Sequence, residues 1–362
     1  MTIAIAHRER SSGVDHSTLD TRLRGLLADL RERASIHHPR FEEMSAVIAR
    51  LTLGGKKLRP AVFSAALRGL TGDDAAATGR DAVDIACALE LLHVALVIHD
   101  DVIDSDSVRR GEPNVSGQAR DAAIALGASA ASAEGFGRAA GIIAGDLLLS
   151  SALSLVATTE FDAPTRRALI TLFEQTIFAS AAGEHADVWF SLGLEEADAT
   201  RLLRTIELKT ACYSFQAPLE AAAILAGCDA DTVRRLRGIG CGLGIVYQLR
   251  DDVLGVFGST DATGKTVSGD LREGTQTLLV ALARDTPQWQ AVAHRFGAAD
   301  LDEADAEALR AALDDSGARE RVERAIEAEC AVVRRRISRG RFPAEMTGFL
   351  LDLLERCAER DR

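Results

Sequence analysis

The sequence predicts an all-α fold, a single large helical bundle, and three observations indicate it. Ala and Leu dominate a chain that is 47% hydrophobic but only 4% aromatic, and this composition favours helices over strands. From Leu19 onward, apolar residues recur at three- and four-residue intervals, as they do on amphipathic helices. No stretch of the sequence is a convincing strand.

Individual helices follow from local patterns along the chain. Leucine recurs at helical spacing in LDTRLRGLLADLRERA, which predicts an amphipathic helix near the N-terminus. The stretch from about Asp81 to Asp104 is apolar on most sides and too long for a strand, so we expect a buried helix. Residues 115–137 are rich in Ala, Gly and Ser and predict a loop or short marginal helices, after which a buried helix resumes. Further helices are predicted over residues 164–193, 197–225, 230–257, 272–284 and 303–316, with two more near the C-terminus.

The length of 362 residues would suggest two domains at about 150 residues per domain. No linker-like stretch interrupts the helical pattern, however, and the seven prolines lie mostly at plausible helix boundaries. We therefore expect a polar N-terminal tail over residues 1–17 and one all-helical domain over residues 18–362.

Charge and cysteine content exclude several classes of protein. A net charge of −12 argues against a non-specific nucleic-acid binder, which needs surplus Lys and Arg. The six cysteines are widely spaced without a CxxC pair, so we expect free thiols in a reducing cytoplasm, with Cys87 and Cys241 as small core residues. The N-terminus lacks the apolar core of a signal peptide, and no stretch approaches the roughly 20 apolar residues of a membrane helix. We expect a soluble protein without a membrane anchor.

An acidic cluster followed at once by two arginines stands at residues 99–113, which read HDDVIDSDSVRRGEP. Asp100 and Asp104 lie four residues apart on one helix face, and Asp101 can reach toward the same opening. Stacked carboxylates destabilise a helix unless a cation bridges them, and oxygen ligands suit Mg²⁺. A solvated acidic helix end is the alternative. Asp106 points away from that face and is interpreted as a solvated acid.

A second acidic pair favours the metal interpretation. Asp251 and Asp252 end another apolar helix in YQLRDDVLGVFG and are preceded by Gln248. Two such helices can face each other across a bundle and hold metal ions between them. Gly255 stands where a DDxxD pattern would place a third aspartate, so we expect this site to hold metal with fewer carboxylates.

Anionic substrate groups need cations, and basic residues follow both flexible and acidic stretches. Lys56, Lys57 and Arg59 follow the Gly-Gly of GGKKLRP, where backbone can approach a phosphate closely, although a structural basic turn is the alternative. Arg109 and Arg110 follow the first acidic motif, and arginine can meet phosphate oxygens two at a time.

Three further residues are candidates for the same anionic groups. Lys209 interrupts an otherwise ordinary helix, and Lys265 follows Gly264 fourteen residues beyond Asp251. His93 lies on the apolar helix that leads to the first acidic motif. A lone histidine there is more often a satisfied core residue, but with Lys56 and Arg59 it can complete a phosphate pocket.

Five motifs occur in a fixed order over about 210 residues: GGKKLRP, HDDVIDSDSVRRG, LKT, QLRDD and TGK. In this order they resemble the trans-isoprenyl diphosphate synthases, most closely the bacterial geranylgeranyl diphosphate synthases. The resemblance covers nearly the whole chain beyond the tail. It implies an all-helical bundle around a deep central cavity, usually in a homodimer. It also implies a Mg²⁺-dependent prenyltransferase that condenses isopentenyl diphosphate with an allylic diphosphate.

The resemblance implies a role for each residue that matches a motif. Asp100, Asp101 and Asp104 would hold Mg²⁺ on the allylic diphosphate, and Asp251 and Asp252 would hold a further Mg²⁺. The cations would divide between two diphosphates, so that the arginines serve substrates rather than neutralise the acids. Isopentenyl diphosphate would be bound by Lys56, Arg59, His93 and Arg110, and the allylic diphosphate by Arg109, Lys209 and Lys265, while Thr210 and Gln248 would line the reacting centre.

Two positions depart from the family pattern. Besides Gly255, the family usually has lysine where this chain has Thr275, so we expect weaker binding of the allylic diphosphate. These departures lend support to a non-catalytic subunit of a heteromeric synthase, although the intact first acidic motif speaks against it. A class I terpene cyclase would need an Asn/Ser/Glu metal triad where this chain has QLRDD.

Product length is implied by the residues before the first acidic motif, along which the product tail runs in the family. Ala95 is small and leaves the pocket open, Leu96 is its neighbour, and Leu92 and Leu89 could form the floor one and two turns deeper. We expect geranylgeranyl diphosphate, with a longer polyprenyl product as the alternative. It is also open that Ala95 is a small core residue and another helix sets the floor.

Overall fold

The computed structural model describes residues 16–258, 269–298 and 300–359, and it confirms the all-α fold. Strands in this part of the chain are limited to the two-residue antiparallel pair β1 (Val108–Arg109) and β2 (Glu112–Pro113). The first half contains α1 (His16–Ser35), α2 (Pro39–Leu53), α3 (Leu58–Thr71), α4 (Asp74–Thr78), α5 (Arg80–Ile103), α6 (Val115–Ala125), α7 (Ala130–Ala157) and α8 (Ala163–Ser191). The second half contains α9 (Ala199–Ile206), a π-helical segment (Glu207–Gln216), α10 (Ala217–Leu225), α11 (Ala230–Phe257), α12 (Gly269–Glu273), α13 (Leu278–Ala283), α14 (Pro287–Val292), a 3₁₀ turn (Ala293–Arg295), α15 (Glu303–Asp315), α16 (Ala318–Arg339) and α17 (Ala344–Ala358).

The described residues form two compact units. Residues 16–173 with 221–228 make the first, and residues 174–220 with 229–359 make the second. In the first unit α5 is the central helix, since α1, α3 and α7 all pack against it and Leu89 and Leu92 on it are fully buried. In the second unit α11 packs against the π-helical segment, α16 and α17. The single-domain organisation stays a prediction.

Helix boundaries differ from the expectation where caps or glycine act locally. Residues 115–137 hold real helices, because Asn114 and Ser129 cap the N-termini of α6 and α7 by accepting backbone N–H bonds. The helix predicted over residues 272–284 is broken by Gly274 at φ 72°, and Thr277 caps a new start. The predicted tail lies outside the described residues except at its end, because α1 already begins at His16.

Two helices are long and apolar enough to cross a membrane by length and composition, which corrects the expectation that no stretch approaches that length. In α5 the apolar window is 78% buried inside the protein, so its composition follows from its place in the core. In α7 only 44% of the window is buried. Its side chains Phe136, Ile142 and Ile143 are 45%, 49% and 48% exposed.

All six cysteines are free, as the sequence predicts. Cys87 is a fully buried core residue, and burial raises the pKa of its thiol to about 12. Cys241 is only half-buried, although burial still raises the pKa of its thiol to about 11.

The stretch predicted as one ordinary helix over residues 197–225 contains the π-helical segment. Glycines on neighbouring helices make room for its wide turns. A Cβ atom on Gly183 of α8 would lie 2.4 Å from the backbone nitrogen of Lys209. A Cβ atom on Gly244 of α11 would lie 2.2 Å from the Cβ of Ala211. Because π-helical turns are rare and concentrate at functional sites, this segment is a candidate for holding reactive side chains.

We expect Gly244→Ala to destabilise the protein by about 2 kcal/mol, because the added methyl group overlaps Ala211. The matched control is Gly238→Ala on the same helix, where an added Cβ meets nothing within 4 Å. That control should raise the free energy of unfolding by roughly 0.5–1 kcal/mol, because alanine is the better helix former. Urea unfolding measures both changes, and equal effects of the two variants would contradict the close approach.

Candidate active site

Three aspartates of the first acidic motif lie at the C-terminal end of α5. Asp101 is only 2% exposed, Asp100 is half-buried and Asp104 is exposed. Asp104 follows the last helical residue, and its backbone N–H donates to the carbonyl of Asp100 at 2.9 Å. The structure therefore brings together the three acids that the sequence predicts, at one helix end.

Arg109 lies across these acids, because the chain folds back over the helix end in the β1–β2 hairpin. Its Nε donates to Asp101 Oδ1 at 2.6 Å, and its guanidinium lies 3.5 Å from Asp100 Oδ2. The expectation that the arginines do not neutralise the acids is therefore wrong for Arg109. Asp106 is half-buried rather than solvated, and its charge acts on both Asp101 and Arg109.

Burial makes Asp101 the most constrained acid of this group. Loss of water raises the pKa of its carboxyl, and the ion pair with Arg109 opposes that shift. Its Oδ2 atom is buried and accepts no hydrogen bond from any residue that the structure describes. A buried carboxylate oxygen without a donor is a position at which a cation would be stabilised.

Arg110 occupies the tip of the hairpin in a left-handed conformation, at φ 56°. Its guanidinium rests on the Gly54-Gly55 backbone, where a Cβ on Gly55 would lie 2.8 Å from a guanidinium nitrogen. Arg50 of α2 fastens the other side of the hairpin by donating to the carbonyl of Pro113 at 2.8 Å. The two glycines of GGKKLRP are therefore required for the close approach of an arginine side chain.

His93 lies within reach of the positive charges around this hairpin. Burial holds the pKa of its imidazole well below the ordinary value, and the charges of Arg59, Arg110, Arg109 and Lys57 lower it further. The ring is therefore neutral at physiological pH. This arrangement brings together the predicted residues Arg59, His93 and Arg110, while Lys56 is exposed on the adjoining turn.

Lys57 and Glu90 form a buried ion pair that sequence reasoning missed. The Lys57 ammonium lies 3.2 Å from Glu90 Oε1, and the two side chains are 5% and 4% exposed. The ammonium also donates to the backbone carbonyls of Thr52 and Gly54. The available signal was a glutamate three residues before His93 on an otherwise apolar helix.

In the second unit, a chain of hydrogen bonds links the π-helical segment to α11. The Thr210 hydroxyl donates to Gln248 Oε1 at 3.0 Å, and Gln248 Nε2 donates to Asp252 Oδ1 at 2.8 Å. Asp252 is buried while Asp251 is exposed. Burial raises the pKa of Asp252 well above its ordinary value, and the nearby charges of Asp270, Asp251 and Asp187 raise it further.

Lys209 binds two acids of α8 that the sequence analysis did not select. Its ammonium lies 2.8 Å from Asp187 Oδ2 and 3.0 Å from Glu184 Oε2. The two acids are three residues apart and face the same neighbour, as this spacing on a helix allows. An i, i+3 acidic pair in the sequence GEHAD was the signal that could have found them.

Gly255 lies directly against a carboxylate from a later segment of the same unit. A Cβ on Gly255 would lie 2.3 Å from Asp270 Oδ2, so no larger residue fits there without displacing that side chain. The expectation of fewer carboxylates took no account of Asp270. Thr275 is half-buried, and its backbone N–H donates to the carbonyl of Asp270 at 3.0 Å. Lys265 lies outside the described residues.

The predicted chain-length residues on α5 differ in burial. Ala95, Leu92 and Leu89 are fully buried, whereas Leu96 is half-buried. Leu96 lies one helical turn before Asp100 and one after His93, so it shares their face. In this unit Leu96 is therefore the more accessible of the two residues next to the acidic motif.

Comparisons with known proteins agree with this arrangement. The polyprenyl synthetase family model matches residues 41–313. The chain belongs to the polyprenyl synthetase family. A short chain isoprenyl diphosphate synthase of Methanothermobacter thermautotrophicus is 30% identical over 71% of this chain and 72% of its own length. A geranylgeranyl diphosphate synthase of Sulfolobus acidocaldarius is 30% identical over 63% of each chain.

The fold is shared with solved structures of this family. A geranylgeranyl pyrophosphate synthase from Corynebacterium glutamicum, complexed with isoprenyl diphosphate and magnesium, superposes with a TM-score of 0.87. It is 26% identical and covers 95% of this chain and 98% of its own. Other relatives at about 30% identity are named farnesyl and octaprenyl diphosphate synthases. The chain is therefore a trans-prenyltransferase whose product length the family does not fix.

The acidic groups fit the divalent metal that the family uses. Carboxylate oxygens are the ligands that Mg²⁺ prefers, and Asp101 Oδ2 is a buried oxygen that lacks a donor among the described residues. Over the described ranges, no three acidic, histidine or cysteine side chains already converge as metal ligands. At the end of α5, Arg109 donates to Asp101 Oδ1 and leaves Asp101 Oδ2 without a donor among the described residues.

We expect His93 to make the protein sensitive to acid. Its pKa in the folded protein lies below the ordinary value of 6.5, so below pH 6.5 the unfolded chain takes up a proton that the folded chain does not. Stability is therefore fully present above pH 6.5 and falls as the pH drops. In His93→Gln, urea unfolding should show a loss of stability between pH 7.5 and 5.5 that is about 1 kcal/mol smaller.

Exposed His37 provides the control for that experiment. His37→Gln should leave the difference in unfolding free energy between the two pH values unchanged. An unchanged difference in His93→Gln would contradict a neutral, buried imidazole.

Proposed function

We propose that this trans-prenyltransferase condenses isopentenyl diphosphate with an allylic diphosphate, in a Mg²⁺-dependent reaction, and releases geranylgeranyl diphosphate. The observation that carries the proposal is the grouping at the end of α5. Asp100 and Asp101 lie there beside Arg109, Asp104 follows them at the helix end, and the charges of Arg59 and Arg110 act on His93. A metal-binding acidic group next to a phosphate-binding basic group is what two diphosphate substrates require.

Isopentenyl diphosphate is assigned to the basic group of the first unit. Arg59 and Arg110 supply guanidinium groups that can each bind two phosphate oxygens, and Lys56 adds an exposed ammonium. His93 serves as a neutral hydrogen-bond donor, because burial and, to a smaller extent, the surrounding cations lower the pKa of its imidazole. The arginines therefore attract the diphosphate by their charge, and the imidazole orients it through a hydrogen bond.

The allylic diphosphate is assigned to the acids and to a second set of cations. Asp100, Asp101 and Asp104 would hold Mg²⁺, and Asp251 and Asp252 would hold a further Mg²⁺. When bound, Mg²⁺ stabilises the negative charge that develops on the departing diphosphate. The family resemblance implies that Arg109, Lys209 and Lys265 would bind the allylic diphosphate, and that Thr210 and Gln248 would line the reacting centre.

The residues of this site bind and orient reactants and do not act as nucleophiles. Arg109 exchanges its hydrogen bond to Asp101 for one to the diphosphate. Its positive charge then stabilises the departing diphosphate. The allylic C–O bond then breaks to a carbocation and diphosphate, and the double bond of isopentenyl diphosphate attacks the cation. The proton that is lost passes to the departing diphosphate, which completes the new allylic product.

One assay tests this function against its alternatives. The purified chain is incubated with Mg²⁺, isopentenyl diphosphate and each allylic primer in turn, and the products are separated by size. We expect a twenty-carbon diphosphate as the main product. Longer products support a polyprenyl synthase, and cyclised hydrocarbon from the primer alone supports a terpene cyclase. No turnover by the chain alone supports a non-catalytic subunit, the reading that Gly255 and Thr275 favour.

We expect a bulky residue before the first acidic motif to shorten the product. Leu96→Phe on the half-buried face should shift the main product toward fifteen carbons, because an aromatic ring one turn before Asp100 blocks the path of the tail. Ala95→Phe should do the same only if its ring turns out of the core, because Ala95 is fully buried. The product profile is measured by chromatography, with thermal unfolding of each variant alongside.

The comparison of the two variants identifies the residue that acts. If only Leu96→Phe makes a shorter product, the half-buried Leu96 limits chain length. If only Ala95→Phe does so, the buried Ala95 limits it. Unchanged profiles in two folded variants would remove both residues from control of chain length.

We also propose that the enzyme is a cytoplasmic homodimer. The proposal is supported by the exposed apolar side chains Phe136, Ile142 and Ile143 on α7, for which a second copy of the chain is the partner. The six free thiols suit a reducing compartment. Sedimentation velocity should give a dimer for the natural chain and a monomer for Ile143→Glu. A monomeric natural chain would contradict the dimer.

A further inference from the structure

The turn between α2 and α3 has an unusual backbone for its sequence. Only four residues, 54–57, connect the two helices, and two of them adopt left-handed conformations. Gly55 does so at φ 83°, which glycine tolerates. Lys57 does so at φ 50°, which a lysine rarely adopts unless the surrounding structure holds it. The contacts of Lys57 therefore have to explain its conformation.

The Lys57 side chain folds back toward the backbone of the residues that precede it. Its ammonium carries three donors, and three acceptors meet it: the carbonyls of Thr52 and Gly54 and the Oε1 atom of Glu90. Each of the two carbonyls belongs to the turn or to the last residues of α2. The buried lysine thus ties the turn to α5, which carries both Glu90 and His93.

The tied turn supports every cation of the proposed isopentenyl diphosphate site. Lys56 lies within the turn, and Arg59 lies in the first turn of α3, two residues after Lys57. Arg110 approaches from the hairpin and rests on Gly54 and Gly55. A change in the backbone of residues 54–57 would therefore move the platform under Arg110 and the attachment of Lys56 together.

Glu90 also carries a negative charge that interacts with cations of this site. Besides Lys57, the positive charges of Arg59 and Arg110 act on its carboxylate. Like charges this close repel each other in the absence of a diphosphate, and a buried carboxylate offsets part of that repulsion. Burial alone raises the pKa of Glu90, and the three cations oppose that rise.

We propose that Lys57 and Glu90 are positioning residues for isopentenyl diphosphate. Their buried ion pair fixes the residue 54–57 turn, so that Lys56, Arg59 and Arg110 present their charges to one diphosphate. The inference rests on the proposed function for the identity of the substrate. It extends that function to a second basic residue of GGKKLRP, one whose ammonium points into the protein and binds no substrate.

The test separates positioning from simple stabilisation with three variants. Lys57→Met removes the carbonyl contacts and leaves Glu90 without its partner. The double variant Lys57→Met/Glu90→Gln removes the same contacts but leaves no unpaired charge in the core. The matched control is Arg22→Met/Asp84→Asn, which removes another ion pair from α5, with Arg22 Nε 2.6 Å from Asp84 Oδ1, that touches none of the proposed substrate residues.

Steady-state kinetics gives the first readout. In Lys57→Met we expect the KM for isopentenyl diphosphate to rise about tenfold, the loss expected for hydrogen bonds from a charged group. The KM for the allylic diphosphate and kcat at saturation should change less than about twofold. The double variant should recover the melting temperature of the natural chain but keep the raised KM. The control pair should leave both KM values unchanged.

Two readouts do not depend on turnover. Hydrogen exchange at residues 52–58 should accelerate in both Lys57 variants and not in the control. Titration calorimetry with inorganic diphosphate should show about tenfold weaker binding in the same two variants.

The outcomes distinguish this inference from the proposed function. If the natural chain transfers no prenyl group but the two variants still lose diphosphate affinity, the function fails and the positioning role stands. The positioning role is overturned if both KM values rise together, or if the double variant regains the natural KM. Unchanged exchange and unchanged diphosphate affinity would also overturn it.

Discussion

Burial of charge on an apolar helix is the constraint on which this structure depends. Helix α5 fills the core of its unit, yet it carries Glu90 and Asp101 at positions that are almost fully buried. A buried charge without a partner costs several kcal/mol, on the order of 3–5, so each of these acids requires a cation. Asp101 obtains one from Arg109 and Glu90 obtains one from Lys57. The two loops that supply these cations are fixed in place as a result, and they are the loops that carry the proposed substrate contacts.

The second unit holds its polar groups by a different device. Thr210 and Lys209 lie on a π-helical segment, whose wide turns fit only because Gly183 and Gly244 come from the neighbouring helices. Gln248 then connects Thr210 to the buried Asp252 through one amide. Glycines on neighbouring helices thus permit an irregular backbone in this segment, and that backbone sets the positions of Lys209 and Thr210.

The departure at Gly255 from the family pattern is local, and a neighbouring side chain partly offsets it. Gly255 lacks the carboxylate of a third aspartate, but Asp270 places a carboxylate against the same helix. A Cβ at position 255 would displace the Asp270 carboxylate from this position. Gly255 and Asp270 are therefore best interpreted together.

The sequence by itself determined the fold class, the helix that forms the core of the first unit, and the acids and bases of both motifs. These follow from local rules, because helical periodicity, caps and the spacing of like charges act over a few residues. It did not determine the partners of those charges. Lys57 and Lys56 are adjacent and identical in type, and only the left-handed turn turns one inward to Glu90 and leaves the other in solvent. Arg109 and Arg110 are divided in the same way, one onto Asp101 and the other onto Gly55, because a hairpin reverses the chain between them. Pairing between charges distant in sequence is set by tertiary packing and desolvation, and no local pattern encodes it.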